Sequence, residues 1–198
     1  MMEKDWFDIA LKHFDEANYS QALFAITKYI KDNPNNNYGK ILRAVICRTL
    51  SNYDLSLAIL KEIEPTKNAD ENYKKSYYRE LGDTYNAMGN HTEAIIWYDK
   101  FIELCPNETM GYIFKGGCLA AAGQYKLAKE EHLKATTLEG DREEAFYNLA
   151  LIYRAEMNFS QAKLFCEKSL EIDPNDEGVR HCLDDIIETI KLTDQYGS

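Results

Sequence analysis

Proline and glycine are scarce in this chain. It has four prolines and ten glycines among 198 residues, too few for a loop-rich β-sandwich and compatible with long helices. A cysteine pattern is also missing. Cys47, Cys105, Cys118, Cys166 and Cys182 are scattered, odd in number and without a C-x-x-C pair. That argues against a disulfide framework and for a reducing, cytoplasmic setting with thiols as small apolar filler. No apolar run approaches the length of a membrane span. The opening stretch lacks an apolar segment preceded by positive charge, so no secretory signal is expected. Basic residues are in the minority: 23 Lys and Arg against 33 Asp and Glu leave a formal charge of −10. A net acid is a poor ligand for nucleic acid or anionic lipid, because both are polyanions. The composition is 45% hydrophobic, which excludes a disordered acidic tail as the whole chain.

Catalytic and ligand signatures are absent too. There is no H-E-x-x-H, no pair of Cys/His doublets, no G-x-x-x-x-G-K and no G-x-S-x-G. His13, His91, His132 and His181 are dispersed, and adjacent His181 and Cys182 point about 100° apart on a helix. The expectation is a protein that is not an enzyme and needs no cofactor or metal.

What the chain does have is an internal repeat. Asn18-Tyr19-Ser20-Gln21-Ala22, Asn90-His91-Thr92-Glu93-Ala94 and Asn158-Phe159-Ser160-Gln161-Ala162 are alike, and Gln124-Tyr125-Lys126-Leu127-Ala128 is a fourth copy. Ala94 to Ala128 and Ala128 to Ala162 each span 34 residues. Asn52 to Ser56 follows the first copy by 34, and Ser56 to Ala94 spans 38, so four extra residues intervene. Pro34, Pro106 and Pro174 each fall 12 residues after the small residue of their unit, where proline stops a helix. The frame tiles the chain as 3–36, 37–70, 75–108, 109–142 and 143–176. A tail follows, with Val179, Cys182, Leu183, Ile186, Ile187 and Ile190 at helical spacing.

Each unit reads as two helices and a turn. Ala10, Ala44, Gly82, Gly116 and Ala150 are small residues on a first helix; Ala22, Ala94, Ala128 and Ala162 are small residues on a second. Small side chains at a crossing let helices approach to the near end of the usual range. Turns are expected at Ala17-Asn18, Gly89-Asn90, Gly123-Gln124 and Met157-Asn158. One hairpin cannot bury its apolar face alone, so neighbours must stack, with 177–193 as a capping helix.

The pattern resembles the tetratricopeptide repeat, whose period is 34 and whose landmarks are W-x2-L-G-x2-Y, then A-x3-F, then P. The third unit carries Tyr78, Leu81, Gly82, Tyr85, Ala94, Tyr98 and Pro106; the fifth carries Phe146, Leu149, Ala150, Tyr153, Ala162, Cys166 and Pro174. The first keeps Trp6, Ile9, Ala10, Ala22, Ile26 and Pro34. The fourth has Lys115 at the leucine and Gly140 at the proline, and the second has Arg43 and Cys47 at the leucine and tyrosine. The resemblance implies an all-α fold, a right-handed alpha-alpha superhelix of five hairpins in one domain, 1–198.

It also implies a concave side lined by the first helices. Second, fifth, ninth and twelfth places of the units put Lys4, Phe7 and Leu11 there, then Tyr38, Ile41, Val45 and Arg48. Arg79, Asp83 and Asn86 follow, then Met110, Ile113 and Gly117, then Tyr147, Leu151 and Arg154. Asn148 occupies the place of a clamp asparagine, but Ile113 and Gly117 do not match the rest of a chaperone-tail clamp. The expected function is a non-catalytic scaffold or adaptor that holds a peptide or helix of a partner protein. Apolar pockets and arginine anchors would do the holding, since arginine can bind a carboxylate bidentately. A homodimer without peptide ligand, or a regulatory subunit beside an enzyme, is the alternative. No nucleic acid and no membrane are expected as partners.

Overall fold

A computed structural model describes residues 5–140 and 142–196. The described residues form eleven α-helices and no strand. They divide into two compact units, Met1–Leu104 and Cys105–Ser198.

The first unit holds α1 (Trp6–Asp15), α2 (Tyr19–Asp32), α3 (Asn37–Thr49), α4 (Tyr53–Glu62), α5 (Glu71–Ala87) and α6 (His91–Leu104). The second holds α7 (Thr109–Ala121), α8 (Tyr125–Thr136), α9 (Arg142–Ala155), α10 (Phe159–Ile172) and α11 (Glu177–Tyr196). Within each unit consecutive helices pair as hairpins, and hairpins stack: α3 packs on α5, and α7 on α9.

One device closes all five hairpins. The second residue past the first helix takes a left-handed conformation, and the next backbone N–H returns to the carbonyl five residues back. Ala17, Ser51, Gly89, Gly123 and Met157 have φ between 57° and 75°. The returning bonds are Asn18 to His13, Asn52 to Cys47, Asn90 to Tyr85, Gln124 to Leu119 and Asn158 to Tyr153, at 2.7–2.9 Å. Asn52 and Asn158 then act twice. Their side chains accept from Leu55 N and Gln161 N and cap the second helix. Ser51 is a turn outside the four expected, although Asn52 after it matches Asn18 and Asn158.

The small residues work at crossings. A Cβ on Gly82 would stand 2.5 Å from the Tyr98 ring, and one on Gly116 would stand 2.6 Å from the His132 ring. Ala10, Ala22, Ala44, Ala94, Ala128, Ala150 and Ala162 are fully buried. Large side chains fill the space around them: Ile26, Ile46 and Tyr29 in the first hairpins; Leu60, Tyr73 and Tyr77 farther on; Leu149 and Phe165 in the second unit. All five cysteines are free thiols, four of them buried. Burial first, and Cys182 second, push the Cys166 thiol up to about 12.

The four residues left between the second and third units, 71–74, form the first turn of α5, which at 17 residues is longer than the other first helices. The Tyr73 hydroxyl donates to the Ile63 carbonyl. Asp70 caps α5 through Tyr73 N at 2.9 Å, and Lys74 Nζ donates to the Lys67 carbonyl at 2.6 Å. The insertion is thus tied at both ends to the packed helices.

The last helix runs three residues past 193, to Tyr196. It buries Val179, Cys182 and Ile186 against Leu149, Ala150 and Phe165. Each such apolar side chain contributes about 1.5–3 kcal/mol. Its first turn is capped by Asp176, whose Oδ1 accepts from Val179 N at 2.9 Å.

Candidate binding surface

Two of the three candidate anchor arginines, Arg48 and Arg154, are engaged inside the chain. In the first unit Arg48, near the end of α3, reaches to α5. Its Nε and Nη2 donate to the two Glu80 carboxylate oxygens at 2.9 and 3.1 Å, and Asp83 Oδ2 lies 3.7 Å away. Glu80 is 2% exposed. The Thr84 hydroxyl donates to the Glu80 carbonyl at 2.8 Å and lies 3.3 Å from the Ser56 hydroxyl. The Tyr98 hydroxyl donates to Asp83 Oδ1 at 2.8 Å. Burial pushes the Glu80 and Asp83 carboxyls above the usual carboxylate range, against the pull of Arg48 on Glu80 and of Tyr98 on Asp83. Burial, the largest influence, opposes the Arg48 charge, but the hydrogen bond to Glu80 together with the charges of Glu80 and Asp83 outweighs it and holds the guanidinium protonated. In the second unit Arg154 Nη1 lies 3.4 Å from Cys182 Sγ and 3.5 Å from Asp185 Oδ2, both on α11. Arg79 is exposed.

This network was hidden in the sequence. Glu80 reads as a solvated charge, and its partner stands 32 residues earlier on another hairpin. The only available signal is that separation, close to one repeat.

The remaining residues divide by exposure. In the first unit Ile41 is buried, in one core with Ala44 and Cys47, and Val45 packs half-buried against that core. Phe7 is half-buried, its ring 5.1 Å from the Tyr29 ring. Leu11, Tyr38 and Asn86 are exposed. The Tyr38 hydroxyl donates to Asp70 at 3.0 Å, and Asn86 Oδ1 lies 3.0 Å from His91 Nδ1. In the second unit Ile113 is buried, Met110 and Asn148 are half-buried, and Gly117 is exposed. Tyr147 and Leu151 are half-buried against the core that α11 covers. Lys4 lies outside the described residues. Gly117, Asn148 and Leu151 are brought together, because all three border a cavity of about 240 Å³. Its other walls include the buried His132, which the spacing of the repeat assigns to the hairpin interior.

The deviant landmarks have local accounts. Lys115, at the leucine place, meets Glu131 at 2.7 Å across the α7–α8 hairpin. Gly140, at the proline place, turns with φ 120°, and the Thr109 hydroxyl donates to the neighbouring Glu139 carbonyl at 2.8 Å.

Among the described residues no group of three or more His, Cys, Asp or Glu side chains could hold a metal ion. No described helix is long and apolar enough to cross a membrane.

Family models for the tetratricopeptide repeat match residues 75–108 and 143–176. Anaphase-promoting complex subunit 3 of Schizosaccharomyces pombe is 24% identical over 111 residues, which cover 56% of this chain and 17% of that protein. The chain therefore matches under a fifth of that relative's length. Among solved structures, a thermophilic tetratricopeptide repeat protein of Thermus thermophilus superposes with a TM-score of 0.75 at 19% identity, covering 92% of this chain and 97% of that one. YrrB, a tetratricopeptide repeat protein with an unusual peptide-binding site, gives 0.62 at 17% identity over 89% of each chain. Five small-residue hairpins with one shared turn, two family matches and these neighbours agree: the chain carries tetratricopeptide repeats and has the fold of tetratricopeptide repeat proteins.

Proposed function

We propose that this protein is a non-catalytic scaffold that holds a peptide or helix of a partner protein on the faces of its first helices. The observation that carries the reading is the set of side chains left half-buried or exposed there. Leu11, Tyr38, Val45, Met110, Asn148 and Leu151 are apolar or amide groups, of the kind that becomes energetically useful when a partner excludes water. With Arg48 and Arg154 paired internally, the holding contacts are apolar and aromatic, and Arg79 is the remaining candidate for a partner carboxylate. The likeness to YrrB, which has a peptide-binding site, supports this use of the fold.

The test is fluorescence polarisation with labelled twelve-residue peptides selected on the full chain. Tyr38→Ser with Arg79→Ala, or Met110→Ser with Leu151→Ser, should weaken binding about tenfold or more. The outer-helix change Leu127→Ser should leave it unaltered. Equal affinities across all three variants would sink the proposal.

A second reading has its own observation. At the N-terminal hairpin an apolar hollow of about 530 Å³ is lined by Trp6, Ile9, Phe24 and neighbours, and Phe24 is 58% exposed. A homodimer through this face would dissociate in the Phe24→Glu variant. Sedimentation at several concentrations that finds a monomer in the unaltered protein would dispose of it.

A further inference from the structure

We propose that the cavity between the linker and the α5–α6 hairpin of the first unit is a binding site for a phosphomonoester carried on an apolar or aromatic body. The site stands independently of peptide holding.

Charge sets this cavity apart. The chain has a formal charge of −10, and its lysines commonly meet carboxylates: Lys12 meets Glu16, Lys115 meets Glu131, and Lys129 meets Glu156. The cavity, of about 400 Å³, gathers Lys67, Lys74 and Lys100 against one carboxylate, Glu103. Three ammonium groups less one carboxylate leave its rim at +2. Two of the three are held by neutral partners. Lys74 Nζ donates to the Lys67 carbonyl at 2.6 Å. Lys100 Nζ lies 3.9 Å from the centre of the Trp97 ring and 5.9 Å from that of Tyr78. None of the three lysines forms an ion pair among the described residues. Neither a carbonyl nor a ring face cancels a unit charge, so the cavity keeps a positive potential in an acidic protein.

The walls are set before anything binds. Ala69 N donates to the Thr66 carbonyl at 3.0 Å and closes a turn in the linker, and the Lys74 bond ties that linker to α5. On the other side Tyr78 and Trp97 stack with ring centres 6.1 Å apart, and Lys100 lies over both. Charges already in place lose little on ordering. The volume falls within the roughly 300–1,000 Å³ of small-ligand pockets. A phosphomonoester carries about −1.5 to −2 at pH 7 and three acceptor oxygens, which match a rim of +2, three ammonium groups and the Thr66 hydroxyl. A single carboxylate would leave part of that charge uncompensated. No arginine lines the cavity, so the planar fork that favours carboxylates is missing, whereas lysine binds phosphate as a point charge. Pro65, Tyr78 and Leu104 supply an apolar wall for the body that bears the phosphate.

The experiment titrates the isotope-labelled full chain with phenyl phosphate, and with benzoate and inorganic phosphate for comparison. Amide shifts at Thr66, Lys74, Lys100 and Leu104 report occupancy. The expected result is millimolar binding of phenyl phosphate and about tenfold weaker binding of both other probes. Lys67→Gln and Lys100→Gln should each weaken phenyl phosphate about fivefold, and Glu103→Gln, which removes the opposing carboxylate, should tighten it about threefold. All three residues are exposed, so the fold is expected to persist in each variant. Lys28→Gln removes the same charge beside Phe24 of the first hairpin and should change nothing. No shifts with phenyl phosphate, or equal losses in Lys28→Gln and Lys100→Gln, would overturn the site. Benzoate binding as tightly as phenyl phosphate would overturn the choice of a dianion, and inorganic phosphate binding as tightly would overturn the apolar body. A short alanine peptide around one phosphotyrosine separates the sources. Tighter binding than phenyl phosphate supports a phosphorylated side chain of a partner; its exclusion while phenyl phosphate binds supports a free phosphorylated small molecule.

Discussion

Changing Arg48 to methionine isolates the cost of an unpaired carboxylate in the third repeat. Methionine keeps the apolar stem and removes the two hydrogen bonds of 2.9 and 3.1 Å to Glu80. Glu80 is 2% exposed, so its charge has no water to turn to. The least costly response is to take up a proton. From the ordinary value of 4.5, that costs about 1.4 kcal/mol per pH unit, or roughly 3 kcal/mol at about pH 7. This is close to the about 3–5 kcal/mol typical of breaking a buried pair from one side. At about pH 5 the same proton costs roughly 1 kcal/mol, so the penalty should shrink with acidification. Glu80→Gln added to Arg48→Met should recover most of the loss, because the amide needs no proton and can keep the Thr84 neighbour. Urea unfolding followed by circular dichroism at both pH values measures all of this. A penalty under about 1 kcal/mol at about pH 7, or one that is equal at both pH values, would refute the reasoning.

Three further outcomes follow from the same geometry. Ala17, Ser51 and Met157 hold left-handed turns with φ near 60°, so glycine at each should stabilise by about 0.5–1 kcal/mol in thermal melts. Gly82→Ala should cost about 1–3 kcal/mol, because its Cβ would drive the Tyr98 ring off the Asp83 carboxylate; Gly117→Ala, with nothing within 4 Å, should be neutral or stabilising. His132, lowered to about 4 from 6.5, binds fewer protons folded than unfolded. Its share of stability is complete above about pH 6.5 and declines by up to roughly 3 kcal/mol toward pH 4. His132→Phe should flatten that part of the pH profile, and an unchanged slope would contradict the assignment.

Much of the scaffold was legible because it is written as spacing. Alanine or glycine at one crossing place, recurring every 34 residues, encodes helix pairs that approach closely, and the structure puts Ala22, Ala94, Ala128 and Ala162 at zero exposure. Turns signalled by glycine or by the copied Asn motif were visible; the Ser51 turn was not among those expected, although Asn52 after it stands where Asn18 and Asn158 follow theirs. The amphipathic tail was readable from Val179, Cys182 and Ile186, all buried. Charge was less legible. Periodicity assigns Arg48 and Arg154 to a face but cannot say that Glu80 and Asp185 stand opposite them, because these partners come from other helices. The same holds for His132. Its type and place were plain, yet only the three-dimensional neighbourhood shows that its Nδ1 is unmatched and that its ring lies against Gly116.

Hydrogen exchange with mass spectrometry, on the full chain with and without a selected peptide at saturating concentration, tests the central claim most directly. The account predicts that added protection concentrates in first helices, among α1, α3, α5, α7 and α9, while α2, α4, α6, α8 and α10 change little. Protection confined to the second helices, or none anywhere with the peptide demonstrably bound, would contradict it.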